Sequence, residues 1–307
     1  MPTAPAPHGP TGRQFALARG RYTATVTETG ATLRELAHDG RPLIAGFGSD
    51  APMPDFNGAL LAPWPNRIGD GSYTFDGREH QLPVSEPSRG TALHGLVAWQ
   101  PWEPMTVDDD AVELTTVLYP QRGYPFLLTL IARYALRDDG LSIEVSARND
   151  GPSAAPYGVS MHPWFVADDR GIADWTLTVP AADVLAVDER LLPTGRVAVS
   201  DELDLREGRT LGRTRLDHAF TGIAFEAGTA QVTLCDPDGR GVAVAFDERC
   251  RWVQVCTGDE AGPAVNRRAV AIEPMTCPPD AFRSGTDVVR LEPGDEYSVG
   301  WTIGAVG

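Results

Sequence analysis

The chain has 307 residues, 42% of them hydrophobic, which is enough to form the core of one large domain or of two ordinary ones. Its net charge of −16 excludes a nucleic acid or an anionic membrane surface as the main partner, because basic surfaces recognise both. All 26 basic residues are arginine, which excludes Schiff-base chemistry and a lysine-dependent phosphate loop.

The beginning of the chain, MPTAPAPHGPTGRQ, is rich in proline and lacks the apolar region that a secretion signal requires. We expect residues 1–14 to be a mobile N-terminal lead, followed by a single domain at 15–307. No window approaches the roughly 18 apolar residues of a membrane-spanning helix, so we expect a cytoplasmic protein. The four cysteines have no C-x-x-C spacing and are expected to be structural thiols. They are Cys235, Cys250, Cys256 and Cys277.

Short segments of alternating apolar and polar residues, separated by turns rich in glycine and aspartate, recur along the chain. The segments 126–136 and 141–148, with a turn between them, have the pattern of a β-hairpin. Helix is expected only in short pieces, for example near 201–207. This spacing predicts an all-β protein, a large antiparallel β-sandwich with few short helices. The other predicted strands are 21–28, 31–38, 42–44, 72–75, 112–119, 175–179, 231–235, 242–246, 252–256, 269–273 and 297–303.

The stretch from 56 to 95 combines rigid prolines and turn residues with polar side chains that a core segment would not need. Asn66 and Arg67 follow a Pro-Trp-Pro run, and His94 stands directly before a glycine. A surface that hydrogen-bonds a polar ligand uses such side chains. All three residues are therefore candidate ligand contacts, although each could also be an ordinary turn residue.

Three later segments place titratable side chains beside apolar ones. His162 precedes a Pro-Trp-Phe sequence, Asp217 has apolar neighbours, and Glu273 ends an apolar strand. Partial burial is expected to raise the pKa of Glu273, which suits a general base near neutral pH with a histidine as the matching acid. The structural interpretations are a core histidine for His162 and ion-pair partners for the two carboxylates.

A metal site formed by His94, His162 and Glu273 is conceivable, because two histidines and a carboxylate are a known ligand set. The wide spacing of these residues, without an H-x-H or H-x-x-x-H signature, argues against it. We therefore expect no metal.

Taken together and in order, five segments resemble the aldose 1-epimerase (mutarotase) family. The resemblance extends from about residue 21 to residue 303, and the order of the segments is more specific than any one of them. The Trp-Pro run before Asn66 is closest to a bacterial subgroup whose sugar preference is poorly defined. The five segments are Asn66-Arg67-Ile68, Leu93-His94-Gly95, His162-Pro163-Trp164-Phe165, Asp217-His218-Ala219-Phe220 and Ile272-Glu273.

The resemblance implies a large antiparallel β-sandwich that interconverts the α and β anomers of a free aldose without a cofactor. By the same resemblance, Glu273 takes the proton of the anomeric hydroxyl and His162 donates a proton to the ring oxygen. His94 would hydrogen-bond near these atoms, and Arg67 and Asp217 would hold other hydroxyls. The implied partner is a small monosaccharide, and a monomer and a homodimer both stay open.

Two further residues complete the predicted substrate contacts. The resemblance includes Asn66 beside Arg67, and Trp164 could cover the apolar face of a sugar ring or be structural packing. Three positions depart from the common family pattern, and none of them is the proposed acid or base. Met161 precedes the histidine, Leu96 follows the His-Gly pair, and a Pro-Met pair follows the glutamate. These departures bear on the sugar contacts.

Two other classes of function remain as alternatives. A non-catalytic carbohydrate-binding or sugar-sensing protein could share this fold, although it would not need an acid and a base together. A glycoside hydrolase or lyase normally needs two carboxylates at the scissile bond. Within the epimerases, a hexose 6-phosphate epimerase would need a basic pocket, to which Arg67, Arg89 and Arg122 could contribute, but the Asn-Arg-Ile segment resembles the free-sugar branch more closely.

Overall fold

The computed structural model describes residues 9–307, and over this range the chain forms 27 β-strands and one short α-helix. The first strands are β1 (Gln14–Arg19), β2 (Tyr22–Thr27), β3 (Leu33–His38), β4 (Arg41–Pro42), β5 (Leu60–Leu61), β6 (Arg67–Gly69), β7 (Ser72–Phe75), β8 (Arg78–Gln81) and β9 (Thr91–Leu93). The next are β10 (Glu103–Val107), β11 (Ala111–Leu118), β12 (Leu128–Arg137), β13 (Gly140–Asn149), β14 (Ala155–Tyr157), β15 (Ser160–Met161), β16 (Trp164–Phe165), β17 (Thr176–Thr178) and β18 (Ala181–Val187). The last are β19 (Pro193–Ala198), β20 (Arg209–Thr210), β21 (Asp217–Ile223), β22 (Thr229–Cys235), β23 (Gly241–Asp247), β24 (Trp252–Cys256), β25 (Val270–Met275), β26 (Val289–Leu291) and β27 (Glu296–Val306), with α1 (Ala281–Ser284) after β25.

The predicted fold class is confirmed. Two large antiparallel sheets form the sandwich, one of nine strands in the order β10-β11-β12-β13-β27-β23-β22-β17-β20 and one of six in the order β16-β25-β24-β21-β18-β19. A four-stranded sheet, β1-β2-β3-β4, precedes them in the chain, and short two-stranded ladders complete the fold. The two large sheets share one apolar cluster, to which Trp301 and Val244 contribute from the first and Phe220 and Ile272 from the second.

The predicted hairpin is also confirmed: β12 and β13 pair so that Leu136 lies opposite Leu141. Its alternating residues Leu141 and Ile143 are buried in the common core, as their shared face requires. The predicted helical piece is a single 3-10 turn at Asp201–Leu203. Strand β21 is not among the predicted strands, because its sequence does not alternate: two polar residues, Asp217 and His218, are followed by two apolar ones.

The predicted N-terminal lead divides into two parts. Residues 1–8 lie outside the described residues. The hydroxyl of Thr11 is buried and donates a hydrogen bond to the carbonyl of Ser49 at 2.9 Å, and Gln14 already belongs to β1. Within residues 9–14, Thr11 and Gln14 are therefore ordered parts of the fold rather than part of a mobile lead.

The described residues include no helix that is both long and apolar enough to cross a membrane. All four cysteines are free thiols, as expected. Burial raises the pKa of Cys277 to about 12, which keeps this thiol protonated and unreactive at neutral pH.

Candidate active site

The two carboxylates of the site, Glu273 and Asp217, project from one face of the six-stranded sheet. Glu273 in β25 lies directly opposite Gln254 in β24, and Asp217 in β21 lies opposite Cys256. Residues directly opposite each other in an antiparallel ladder project from the same face, and so do residues two positions apart. These four side chains therefore project from one face of the sheet. Gln254 lies between the two carboxylates: it is the ladder partner of Glu273, and its Nε2 donates a hydrogen bond to Oδ1 of Asp217 at 2.6 Å.

Arg67 and His94 are positioned by the short ladder of β6 and β9: Arg67 begins β6, and His94 directly follows β9. Strands β6 and β9 pair with Arg67 opposite Leu93, and the backbone N–H of His94 donates to the carbonyl of Asn66 at 2.9 Å. His94 and Gly95 both have left-handed backbone angles, with φ of 61° and 74°. A Cβ atom at Gly95 would lie 2.1 Å from the carbonyl oxygen of Ala62. Only glycine fits there, so Gly95 fixes where His94 points.

His162 follows the short strand β15 and is tied to a neighbouring turn by its backbone. Its N–H donates to the carbonyl of Ala59, and its carbonyl accepts from the N–H of Gly58, each at 2.9 Å. Two residues later, the indole N–H of Trp164 donates to the carbonyl of Asp55 at 3.1 Å. The rings of His162 and Trp164 have centroids 5.4 Å apart, so both aromatic side chains enter the same site.

The central feature of the site is the pair formed by Glu273 and His162. Oε1 of Glu273 lies 3.4 Å from Nε2 of His162, and the two residues are 1% and 6% exposed. Burial raises the pKa of Glu273 well above its ordinary value, and the charge of Asp217 adds to this effect. Burial lowers the pKa of His162 to about 4. An uncharged pair, with one proton on Glu273, is therefore favoured over a carboxylate and an imidazolium.

Two buried side-chain oxygen atoms of the site have no hydrogen-bond partner among residues 9–307. They are Oε2 of Glu273 and Oε1 of Gln254, which occupy opposite positions in the ladder. Leaving a buried acceptor unpaired costs free energy, so these atoms are set to receive hydrogen bonds from donors that arrive with a ligand. Sugar hydroxyls are donors of this kind.

A cleft of about 540 Å³ opens beside the pair. Of the residues predicted to bind substrate or to catalyse, four line it: Arg67, His162, Trp164 and Asp217. Glu273 and His94 are buried behind the lining, and the ring of His94 meets that of His162 edge-on, with centroids 5.1 Å apart. The structure thus brings six of the seven predicted residues together.

Asn66 is the seventh predicted residue and does not line the cleft. It is 3% exposed and has a left-handed backbone, with φ of 54°. Its side-chain oxygen accepts a hydrogen bond from the N–H of Arg67 at 2.9 Å. Asn66 therefore stabilises the backbone at the start of the strand that carries Arg67.

Three residues of the site were not predicted from the sequence. Glu86 accepts two hydrogen bonds from Arg67, and Gln254 joins Asp217 to the ladder position opposite Glu273. Phe56 packs against His94, with ring centroids 4.7 Å apart, and also lines the cleft. Gln254 lay in a segment that already resembled the family, whereas nothing in the sequence connects Glu86 with a residue 19 positions earlier.

No group of three potential metal ligands among histidine, cysteine, aspartate and glutamate occurs in residues 9–307. Of the three residues considered for a metal site, Glu273 and His162 lie 3.4 Å apart, and the ring of His94 packs against that of His162.

Comparison with known proteins agrees with this fold. The sequence profile of the aldose 1-epimerase family matches residues 13–303, and the chain belongs to that family. It is 37% identical to a protein of Escherichia coli K12 named uncharacterized protein YihR, over 95% of this chain and 93% of that protein. It is 32% identical to the galactose mutarotase of Bos taurus, over 78% of this chain and 76% of that protein.

Solved structures show the same fold at lower sequence identity. A GalM/aldose epimerase homologue from Caenorhabditis elegans superimposes with a TM-score of 0.82 at 21% identity, covering 96% of this chain and 99% of the other. A galactose 1-epimerase from Lactobacillus acidophilus superimposes with a TM-score of 0.77 at 21% identity, covering 94% and 93%. The galactose mutarotase-like sandwich is therefore the architecture of this chain.

Proposed function

We propose that this protein interconverts the α and β anomers of a free aldose without a cofactor, with Glu273 as the base and His162 as the acid. The observation that supports this proposal most directly is the buried pair of these residues, 3.4 Å apart, of which His162 lines an open cleft. Anomer interconversion requires a proton to leave one oxygen of a hemiacetal while another proton reaches the neighbouring oxygen. A paired carboxyl and imidazole can serve both oxygens at once.

In the proposed reaction, Glu273 accepts the proton of the C1 hydroxyl while His162 donates a proton to the ring oxygen. The bond between C1 and the ring oxygen breaks, and its electron pair stays on the ring oxygen, leaving an open-chain aldehyde. Rotation about the C1–C2 bond presents the other face of the carbonyl. The ring oxygen then attacks C1 and returns its proton to His162, while Glu273 returns its proton to the carbonyl oxygen.

The other residues of the cleft would bind the sugar. His94 is close enough to His162 to reach the same region of a bound ring. Arg67 and Asp217 line the cleft and present a donor and an acceptor for hydroxyl groups, while the indole of Trp164 offers an apolar surface. Asn66 would contribute by holding Arg67. A neutral monosaccharide in the cytoplasm is the substrate that we propose.

The pH dependence of the reaction tests the proton count of the pair. The active charge-separated form, carboxylate plus imidazolium, has the same single proton as the uncharged form. We expect kcat/KM to fall in acid near pH 4, where the pair gains a second proton at His162. We also expect it to fall in alkali above the raised pKa of Glu273, where the pair loses its only proton. The measurement is a polarimetric pH profile after subtraction of the uncatalysed rate. An acid limb near the ordinary histidine pKa of about 6.5 would contradict this assignment.

Polarimetry on freshly dissolved α-D-glucose and α-D-galactose tests the proposed activity itself. Acceleration of the change in optical rotation by the wild-type protein is the expected result. If the protein accelerates mutarotation of no aldose in a wider panel but binds one in a calorimetric titration, the proposal fails and the carbohydrate-binding alternative replaces it.

A further inference from the structure

Glu86 lies in the loop between β8 and β9 and holds the guanidinium of Arg67 with both of its oxygens. Nε of Arg67 donates to Oε2 at 2.8 Å, and Nη2 donates to Oε1 at 3.0 Å. Two parallel hydrogen bonds fix the plane of a guanidinium, which a single contact cannot do. The two side chains are 10% and 15% exposed, so this pair is largely shielded from water.

Glu86 is also held in place by residues other than Arg67. The hydroxyl of Thr91 donates to Oε2 of Glu86 at 2.6 Å, and the backbones of these residues exchange hydrogen bonds at 3.0 and 3.2 Å. Nε of Arg89 lies 3.4 Å from Oε1. Burial alone would raise the pKa of Glu86, but the hydrogen bonds from Arg67 and Thr91 hold it below its ordinary value. Glu86 is therefore a fixed negative charge.

The nitrogen of Arg67 that makes neither of these bonds with Glu86 faces the site. Nη1 lies 4.0 Å from Oδ2 of Asp217, beyond hydrogen-bond distance. The positive charge of Arg67 acts to lower the pKa of four site residues, His94, His162, Asp217 and Glu273, although burial keeps the pKa of the two carboxyl groups raised overall. The negative groups that act on Arg67 in return are Glu86, Asp217 and, when ionised, Cys256. Of these, Glu86 alone forms a two-point contact with it.

We propose that Glu86 is the positioning residue of this site: it aims Nη1 of Arg67 into the cleft and balances the charge of Arg67 beside the acid–base pair. This inference rests on the proposed function. Without the carboxylate, Arg67 could rotate away from the cleft. Its uncompensated charge would also move the pH range in which the pair holds one proton towards lower pH.

The test compares Glu86→Gln and Glu86→Asp with the wild type. For Glu86→Gln we expect a loss of roughly tenfold to hundredfold in kcat/KM, because a small displacement of a binding group costs this much. We also expect the titration of His162, followed by NMR and assigned with a His162→Asn variant, to move to lower pH. Glu86→Asp keeps the charge, so the titration should stay near that of the wild type even where the shorter reach lowers kcat/KM.

A double-mutant cycle shows whether Glu86 acts through Arg67. In an Arg67→Ala background, Glu86→Gln should cause no further loss of kcat/KM, because its target is gone. Asp76→Asn is the matched control: Asp76 forms a comparable two-point contact with Arg290, at 2.5 and 2.9 Å, in an exposed hairpin that does not line the cleft. This control should leave kcat/KM and the His162 titration unchanged.

Two results would overturn the inference. The first is a Glu86→Gln protein with wild-type kcat/KM and an unmoved His162 titration, and the second is an equal loss from Glu86→Gln with and without Arg67. If Glu86→Gln does not fold, the Arg67→Ala/Glu86→Gln protein and Glu86→Asp provide the comparison. The NMR titration needs no turnover, so an inactive wild type would count against the proposed function while the titration still decides the role of Glu86.

Discussion

Replacing Glu273 with glutamine is expected to lower kcat for anomer interconversion by roughly 10²–10⁴-fold, the contribution of one general base. The amide keeps the shape of the carboxyl group but cannot accept the proton of the C1 hydroxyl. Because burial already favours the uncharged form of Glu273, the substitution introduces no new buried charge, and the variant should fold normally. Polarimetry measures the rate, and thermal unfolding verifies the fold.

Two further variants are needed to interpret the result of Glu273→Gln. His162→Asn should lose activity to a similar extent, since it removes the acid from the same pair. Glu103→Gln is the control for the chemical change, because the side chain of Glu103 is 71% exposed and does not line the cleft. If Glu273→Gln retains activity within threefold of the wild type, Glu273 is not the base.

Replacing Gly95 with alanine is expected to destabilise the protein by about 2–5 kcal/mol. Left-handed backbone accounts for about 1–2 kcal/mol of this. The remainder, about 1–3 kcal/mol, comes from overpacking, because the new Cβ would lie 2.1 Å from a backbone oxygen that cannot move freely. The same oxygen, that of Ala62, accepts the N–H of Leu96 at 2.7 Å, so relief of the clash would break this bond and displace His94.

Gly77→Ala isolates the two contributions. Gly77 has nearly the same backbone, with φ of 73° against 74° at Gly95, but a Cβ there would meet no atom within 4 Å. We expect only the cost of the backbone conformation, about 1–2 kcal/mol, and unchanged activity. Denaturant unfolding of both variants measures the difference. Equal losses of stability would show that the contact with Ala62 does not matter.

The sequence predicts the parts of this protein that depend on local pattern. Alternation along β12 and β13 identifies a hairpin without knowledge of its neighbours, and the turn between them fixes its register. The candidate acid and base were recognisable because each has its own local setting: an apolar strand before Glu273 and aromatic residues after His162.

The remaining parts of the site depend on distances across the chain. Gln254 matters because it lies opposite Glu273 in a ladder, and that register cannot be read from either strand alone. Glu86 matters because of a loop conformation that brings it to Arg67. Asn66 is the opposite case: its position in a family motif suggests a ligand contact, but its side chain accepts a hydrogen bond from the adjacent backbone N–H of Arg67. Type and spacing identify candidate residues, but not the direction in which a side chain points.

The proposed base and the rim of the cleft belong to different kinds of structure. Glu273 projects from β25, an interior strand of the six-stranded sheet, whereas much of the cleft wall comes from the connecting loops at 88–89, 188–191 and 259–261. Loops accept substitution and changes in length far more readily than paired interior strands do. If the proposed function holds, related proteins can therefore change the sugar that they recognise through substitutions in these loops, while the strand that carries Glu273 stays the same. Engineering of substrate preference should begin at the same loops.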